Sequence, residues 1–310
     1  MTSKSAQIVI TGGTGFLGTQ VVSELRKKKY RNLRVANSHN FDLRNRNACL
    51  KLLKNAEVVI HLASKVGGIG FNRKYPADIF YENLLISLNI LQAAKESNIK
   101  KFVGVGTVCS YPKYTPIPFR EEHLWDGYPE ETNAAFGLAK KMLLVGLGAY
   151  RTQYNFNGIY LIPVNLYGPG DNFDPENSHV IPALIQKIYS AKKNYHKKVV
   201  VWGSGRASRE FLYVEDAGHA IVLAMERYDK QDPVNIGSGE EIFINDLVKK
   251  IARLLDYQGE IVWDKTQPDG QPRRLVSSTQ AFRHFGFRSQ ISLEEGLVRT
   301  IRWYSKQARD

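Results

Sequence analysis

Apolar and polar residues alternate along the first half of the chain in two textures. Short runs rich in valine and isoleucine occur at Gln7–Ile10, Leu33–Ala36, Val58–Leu62, Phe102–Val105 and Ile159–Val164. Between them lie longer stretches, notably Thr19–Lys29, Asp78–Ser97 and Ala134–Tyr154, in which apolar residues recur at helical spacing. The short runs read as strands buried on both faces and the long stretches as helices. Strand and helix in repeated alternation predict a parallel sheet, because a parallel neighbour is reached only through a crossover, and the crossovers cover both faces.

After Asn165 the texture changes. Gly168, Pro169, Gly170, Asp171, Asn172 and Pro175 crowd together ahead of a helical stretch that begins near Val180. From about Val234 onward short strands alternate with helices at Ile244–Leu255 and Leu293–Ser305. The expected architecture is α/β, a doubly wound parallel sheet with a smaller C-terminal α/β lobe. Residues 1–165 with roughly 198–233 are assigned to the sheet, and 166–197 with 234–310 to a substrate-facing lobe. The stretches Asp78–Ser97 and Ala134–Tyr154 carry more apolar residues than one core-facing stripe needs, which predicts a homodimeric helix bundle.

Composition narrows the classes of function. The chain has 310 residues, 43% hydrophobic and 24% charged, enough for a large core. No apolar run approaches the roughly 20 residues of a membrane helix, and the N-terminus enters a strand without an apolar leader, so a cytoplasmic protein is expected. Cys49 and Cys109 are the only cysteines, which excludes a disulfide framework and any thiol-based metal spacing. The net charge of +13 is spread over short groups such as Arg26–Lys29 and Lys197–Lys198. No aromatic-interleaved basic stripe accompanies them, so a nucleic-acid partner is not expected and an anionic small substrate is.

The first strand runs directly into TGGTGFLG, with Gly12, Gly13, Gly15 and Gly18 ahead of a helix. Glycines in a strand–turn–helix context allow the tight turn and the approach of a pyrophosphate to backbone N–H groups at a helix start, the Rossmann arrangement. At the end of the second strand, where an acid would bind the NAD ribose, stand Asn37, Ser38 and His39, and the first acid is Asp42. NADP(H) is therefore favoured, with NAD(H) the alternative.

Five further segments carry candidate chemistry: VGVGTVCSYPK (103–113), NAAFGLAKK (133–141), NLYGPGDNFDPENSHVIPAL (165–184), VWGSGRASREFLYVED (201–216) and PDGQPRR (268–274). Together they resemble the GDP-L-fucose synthase family of extended short-chain dehydrogenases/reductases, from Ile8 to about Trp303. The resemblance implies an NADP(H)-dependent epimerase/reductase acting on a GDP-4-keto-6-deoxy-hexose. It implies a catalytic Ser/Thr, Tyr and Lys, matched here by Thr107, Phe136 and Lys140. The tyrosine hydroxyl, which would protonate the sugar oxygen, is missing.

It further implies that Cys109 and His179 exchange protons on the carbons flanking the ketone, roles a thiol and an imidazole suit near neutral pH. Taken singly they read as a small buried residue and a loop histidine. By the same resemblance the cofactor contacts are Gly12, Gly13, Thr14, Gly15, Phe16, Leu17, Gly18, Ser38, Asp42, Leu43, Leu62, Ala63, Lys140, Pro163, Asn165, Leu166 and His179. The substrate contacts are Lys187, Trp202, Arg209 and Asp269: cations for the diphosphate, an aromatic face for the base or sugar, a carboxylate for hydroxyls. The family's aspartate near Ser277 is absent, which leaves the sugar open. Loss of the phenol leaves four readings: reduction through another acid or water, epimerisation alone, a disabled enzyme, or a non-catalytic nucleotide-sugar-binding protein.

Overall fold

The computed structural model describes residues 2–308 except Glu176 and Pro268. Its main sheet contains β1 (Ile8–Thr11), β2 (Leu33–Ala36), β3 (Val58–His61), β4 (Lys101–Val105), β5 (Gly158–Pro163) and β9 (Val234–Ile236). All pairings are parallel, in the order β2-β1-β3-β4-β5-β9. Every residue of β1, β3, β4 and β5 is buried, which is why these runs lack the polar alternation of a half-exposed strand. One face carries α1 (Phe16–Lys27) and α7 (Val214–Arg227) packed on each other. The other carries α2 (Arg46–Leu53), α4 (Pro76–Glu96) and α5 (Ala134–Tyr154). A short helix, α3 (Ile69–Lys74), leads into α4.

The chain leaves β1 toward β2 and then returns to place β3 on β1's other side, so the strand order reverses at β1. Ligands of such sheets bind outside the carboxyl ends at that reversal. Thr11 ties the two carboxyl ends together there: its Oγ1 lies 2.8 Å from His61 Nδ1 and accepts from the Leu62 and Ala63 backbone N–H groups at 3.2 Å.

A second core gathers β6 (Asn165–Tyr167), α6 (Val180–Lys193), β7 (Lys198–Trp202), β8 (Ser208–Tyr213), β10 (Glu241–Phe243), α8 (Ile244–Leu254), β11 (Glu260–Asp264) and α10 (Leu293–Gln307). β10-β8-β6 form one small sheet and β11-β7 another. The lobe boundaries differ from those read in the sequence. Residues 198–202 pair with β11 and bury Val199 and Val201 in the second core, whereas 234–236 join the main sheet on β5, and α9 (Thr279–Phe285) buries Ala281 and Phe285 in the main core. These memberships depend on partners distant in sequence, which local periodicity does not encode.

Candidate active site

The glycines of the first turn have separable causes. Gly12 adopts φ +67, a left-handed conformation open to glycine. A Cβ on Gly18 would stand 2.1 Å from Gly12 O, so this glycine lets α1 pack against the turn itself. Gly15 differs: its Cβ would meet only Gly12 O, at 3.3 Å, and the residue faces open space at the N-cap of α1. The first-turn N–H groups of a helix with no side-chain cap are presented to that space, which fits a pyrophosphate. Thr14 is exposed beside it, Phe16 and Leu17 are half-buried in α1, and Leu62 and Ala63 continue the rim after β3.

At the end of β2, Asn37 Oδ1 accepts from the His39 and Asn40 N–H groups at 3.0 Å and leaves Ser38 and His39 exposed. Asp42 does not act as an open carboxylate. Arg44 grips it with Nε and Nη2 at 2.9 Å each and holds its pKa below the usual range, while Leu43 beside it is buried. The rim is thus free of unpaired acid, as a 2′-phosphate requires.

The catalytic candidates meet where β4 ends. Thr107 caps a short helical turn, 108–110, accepting from the Cys109 N–H at 3.2 Å, so its own O–H remains to donate outward. The start of α5 rests directly on this turn: Ser110 Oγ donates to Gly137 O at 2.8 Å, and a Cβ on Gly137 would lie 2.3 Å from Cys109 O. Gly137 is therefore what lets the helix bearing Phe136 and Lys140 touch the turn bearing Thr107 and Cys109. Phe136 and Lys140 lie one turn apart on one face. Lys140 is buried, forms no side-chain hydrogen bond to any described residue, and has its pKa pushed down to about 8 by desolvation. Its charge, after burial, also holds fully buried His61 neutral, which locates the ammonium near the carboxyl end of β3.

His179 is the N-cap of α6. Its surface is open, yet protein surrounds it closely enough that desolvation, and then the charge of Arg274, lower its pKa, as for a side chain lining a cleft. Gly68, after β3, donates its N–H to Asn177 O at 3.1 Å and so props this loop. Arg209, on β8, has its pKa pushed down to about 9, first by desolvation and then by Arg274, against the opposing pull of Cys109, Glu130 and Asp269. Among the described residues its guanidinium bonds only backbone oxygens, Ser208 O at 2.7 Å and Asp269 O at 3.0 Å. The structure thus brings Cys109, Arg209, Arg274 and His179 within one electrostatic neighbourhood.

Lys187 and Trp202 stand together farther along the lobe, with Lys187 Nζ 5.3 Å from the Trp202 ring centre and 3.3 Å from Val200 O. Alternation along β7 turns Trp202 outward, 54% exposed. The Asp269 carboxylate accepts from the Ser204 N–H at 2.6 Å and hydroxyl at 2.7 Å, pinning the turn between Trp202 and Arg209. Asn165 and Leu166 are half-buried on β6, and Pro163 is buried at the end of β5. Among the described residues, no cluster of three or more His, Cys, Asp or Glu forms a metal site.

Residues 8–237 match the NAD dependent epimerase/dehydratase family. The chain is 40% identical to GDP-L-fucose synthase 1 of Arabidopsis thaliana over 309 residues, 99% of this chain and 95% of that protein. It belongs to the GDP-L-fucose synthase family. A GDP-6-OMe-4-keto-L-xylo-heptose reductase from C. jejuni superposes with a TM-score of 0.92 at 28% identity, covering 99% of each chain. A GDP-L-fucose synthetase from Naegleria fowleri bound to NADP superposes at 0.88, also at 28% identity, covering 100% of this chain and 97% of that one.

Within this family member, sequence reasoning missed three residues that shape the site. Gly137 was visible as a small residue inside a helix, but its reason is the approach of the Cys109 turn. Gly68 carried no signal beyond a Gly-Gly pair. Arg274 lay in the PDGQPRR motif without a role, because one of its two partners, Asn165, comes from a distant segment, although the other, Gln271, lies three residues before it.

Proposed function

We propose that this GDP-sugar epimerase/reductase acts on a GDP-4-keto-6-deoxy-hexose, with Cys109 and His179 epimerising it and with reduction limited by Phe136. NADP(H) is the cofactor, held by the Gly12–Gly18 turn, the acid-free rim at Ser38 and the buried Lys140. The observation that carries the reading is an intact thiol, imidazole and lysine around the cleft with a ring lacking oxygen at position 136. Decay to a mere binding protein would be expected to spread beyond one atom. When bound, NADPH supplies a hydride to the ketone carbon.

The chain's own groups account for the rest. One member of the Cys109/His179 pair removes the proton alpha to the ketone, the electron pair moves onto the carbonyl oxygen, and the other member returns a proton to the opposite face. Thr107 donates a hydrogen bond to that oxygen, and Lys140 holds the nicotinamide ribose. Arg209 and Lys187, neither neutralised by a carboxylate among the described residues, attract the diphosphate.

Thermal melts test the substrate class. GDP at about 100 times its Kd stabilises the protein by about 2.7 kcal/mol, and Arg209→Ala removes most of that gain. A larger gain from UDP or dTDP than from GDP overturns the nucleotide assignment.

Fluorescence titration tests the cofactor rim: NADPH binds more tightly than NADH, and equal affinity refutes the reading of Ser38 and His39. Gly15→Val weakens both by about tenfold or more, since a side chain added at this exposed position occupies the space in which the pyrophosphate approaches the backbone.

A homodimer is part of the proposal. Phe80, Tyr81 and Leu88 on α4 and Val145 and Tyr154 on α5 are exposed apolar side chains on two helices that already pack together, and a partner's pair completes a four-helix bundle. Light scattering at micromolar concentration gives twice the chain mass; a monomer there refutes it.

A further inference from the structure

Arg274 is 6% exposed and makes no ion pair with any described carboxylate. Its guanidinium instead forks between two segments: Nε donates to Gln271 Oε1 at 3.1 Å and Nη1 to Asn165 Oδ1 at 2.8 Å. Each recipient is itself anchored. Asn165 Nδ2 donates to Glu210 O at 2.9 Å, and Gln271, 2% exposed, donates Nε2 to Pro112 O at 3.0 Å and Lys113 O at 3.2 Å. A continuous run of hydrogen bonds therefore links the start of β6, beside the cofactor cleft, to the segment that leaves the Cys109 turn.

Stability alone gives a weak reason for this residue. A buried cation without a counterion carries a desolvation cost that an apolar residue of similar volume avoids. The planar fork supplies two divergent donors at fixed geometry, which lysine does not. Two of its five N–H groups account for the bonds to Asn165 and Gln271. The positive charge also reaches His179 and Arg209, whose titration it depresses, so the group sits at the working side of the cleft.

We infer that Arg274 is a positioning residue: through Asn165 and Gln271 it sets the place of the Cys109 turn relative to the cofactor-side strand end. This rests on the proposed epimerase reading, because it takes Cys109 as a reacting group.

The test uses the full-length protein and four variants, Arg274→Met, Arg274→Lys, Gln271→Leu and the double variant Arg274→Met/Gln271→Leu. The first readout is deuterium exchange from D2O into GDP-4-keto-6-deoxy-mannose, resolved into kcat and KM. Misplacing a reacting group by about 1 Å costs on the order of 10²-fold, so Arg274→Met lowers kcat by at least tenfold with KM within about threefold. Arg274→Lys, which keeps the charge and one of the two bonds, recovers part of the loss. The double variant Arg274→Met/Gln271→Leu is no worse than Arg274→Met alone, since both cut one chain of bonds.

The second readout is alkylation of Cys109 by iodoacetamide, followed by mass spectrometry and needing no turnover. Buried Cys49, its thiol pushed up to about 12, serves as the unreactive reference. The Cys109 rate shifts at least threefold in both Arg274→Met and Gln271→Leu. Unchanged kcat and unchanged alkylation, additive losses, or a loss confined to KM each overturn the inference. If the unmodified protein exchanges no deuterium, the epimerase reading fails while alkylation still decides whether Arg274 places the turn. If Arg274→Met does not fold, Arg274→Lys and Gln271→Leu carry both readouts.

Discussion

Phe136→Tyr raises NADPH-dependent reduction of the GDP-4-keto-6-deoxy-hexose by about 10²- to 10⁴-fold, the range a positioned general acid contributes. The variant adds one oxygen to a half-buried ring at the first turn of α5, one helical turn from Lys140 on the same face. The helix start is already held against the Thr107 turn through Gly137 and Ser110, so the new phenol is carried by a helix docked beside Thr107. Lys140 is required for the gain, because a buried ammonium nearby favours the phenolate left after proton transfer. Affinity for GDP stays within experimental error, since Arg209 and Lys187 belong to the lobe. Steady-state assays following NADPH consumption decide the matter. An unmodified protein that already reduces its substrate at ordinary enzymatic rates, with no gain from the tyrosine, means that another group is the acid.

The second large effect is at the thiol. Cys109→Ala lowers deuterium exchange alpha to the ketone by about 10²- to 10⁴-fold while GDP still stabilises the folded protein, because the proton-transfer group goes and the diphosphate contacts stay. In the unmodified protein, exchange holds through neutral pH and declines only below 6.5, the ordinary histidine value. The sign follows from His179: desolvation and the Arg274 charge lower its pKa, so at pH 7 it is neutral and able to accept a proton, and that capacity is lost as pH falls through the lowered value. Proton NMR in D2O measures both. Exchange that survives in Cys109→Ala removes the cysteine from the reaction, and a decline beginning above pH 7 contradicts the state assigned to His179.

What the sequence determined by itself is local. Consecutive buried strands betray themselves by unbroken apolar runs, and a glycine-rich turn between a strand and a helix by residues that must be small within a few positions of one another. Thr107, Cys109, Phe136, Lys140 and His179 were picked out as candidates because they sit in short motifs. Tertiary structure alone decided what depends on registers between distant segments: that β7 leaves the main sheet for β11 while β9 joins it, and that Asp269 is turned onto Ser204. The role of Gly137 follows the same rule, since the atom it must avoid, Cys109 O, belongs to a segment 28 residues earlier in number. So does that of Arg274, whose planar fork has meaning only once folding brings Asn165, 109 residues earlier in number, to the side that nearby Gln271 leaves free. Hydrogen-bond geometry acts over about 3 Å in space and is indifferent to separation along the chain, so periodicity and motif spacing carry no trace of it.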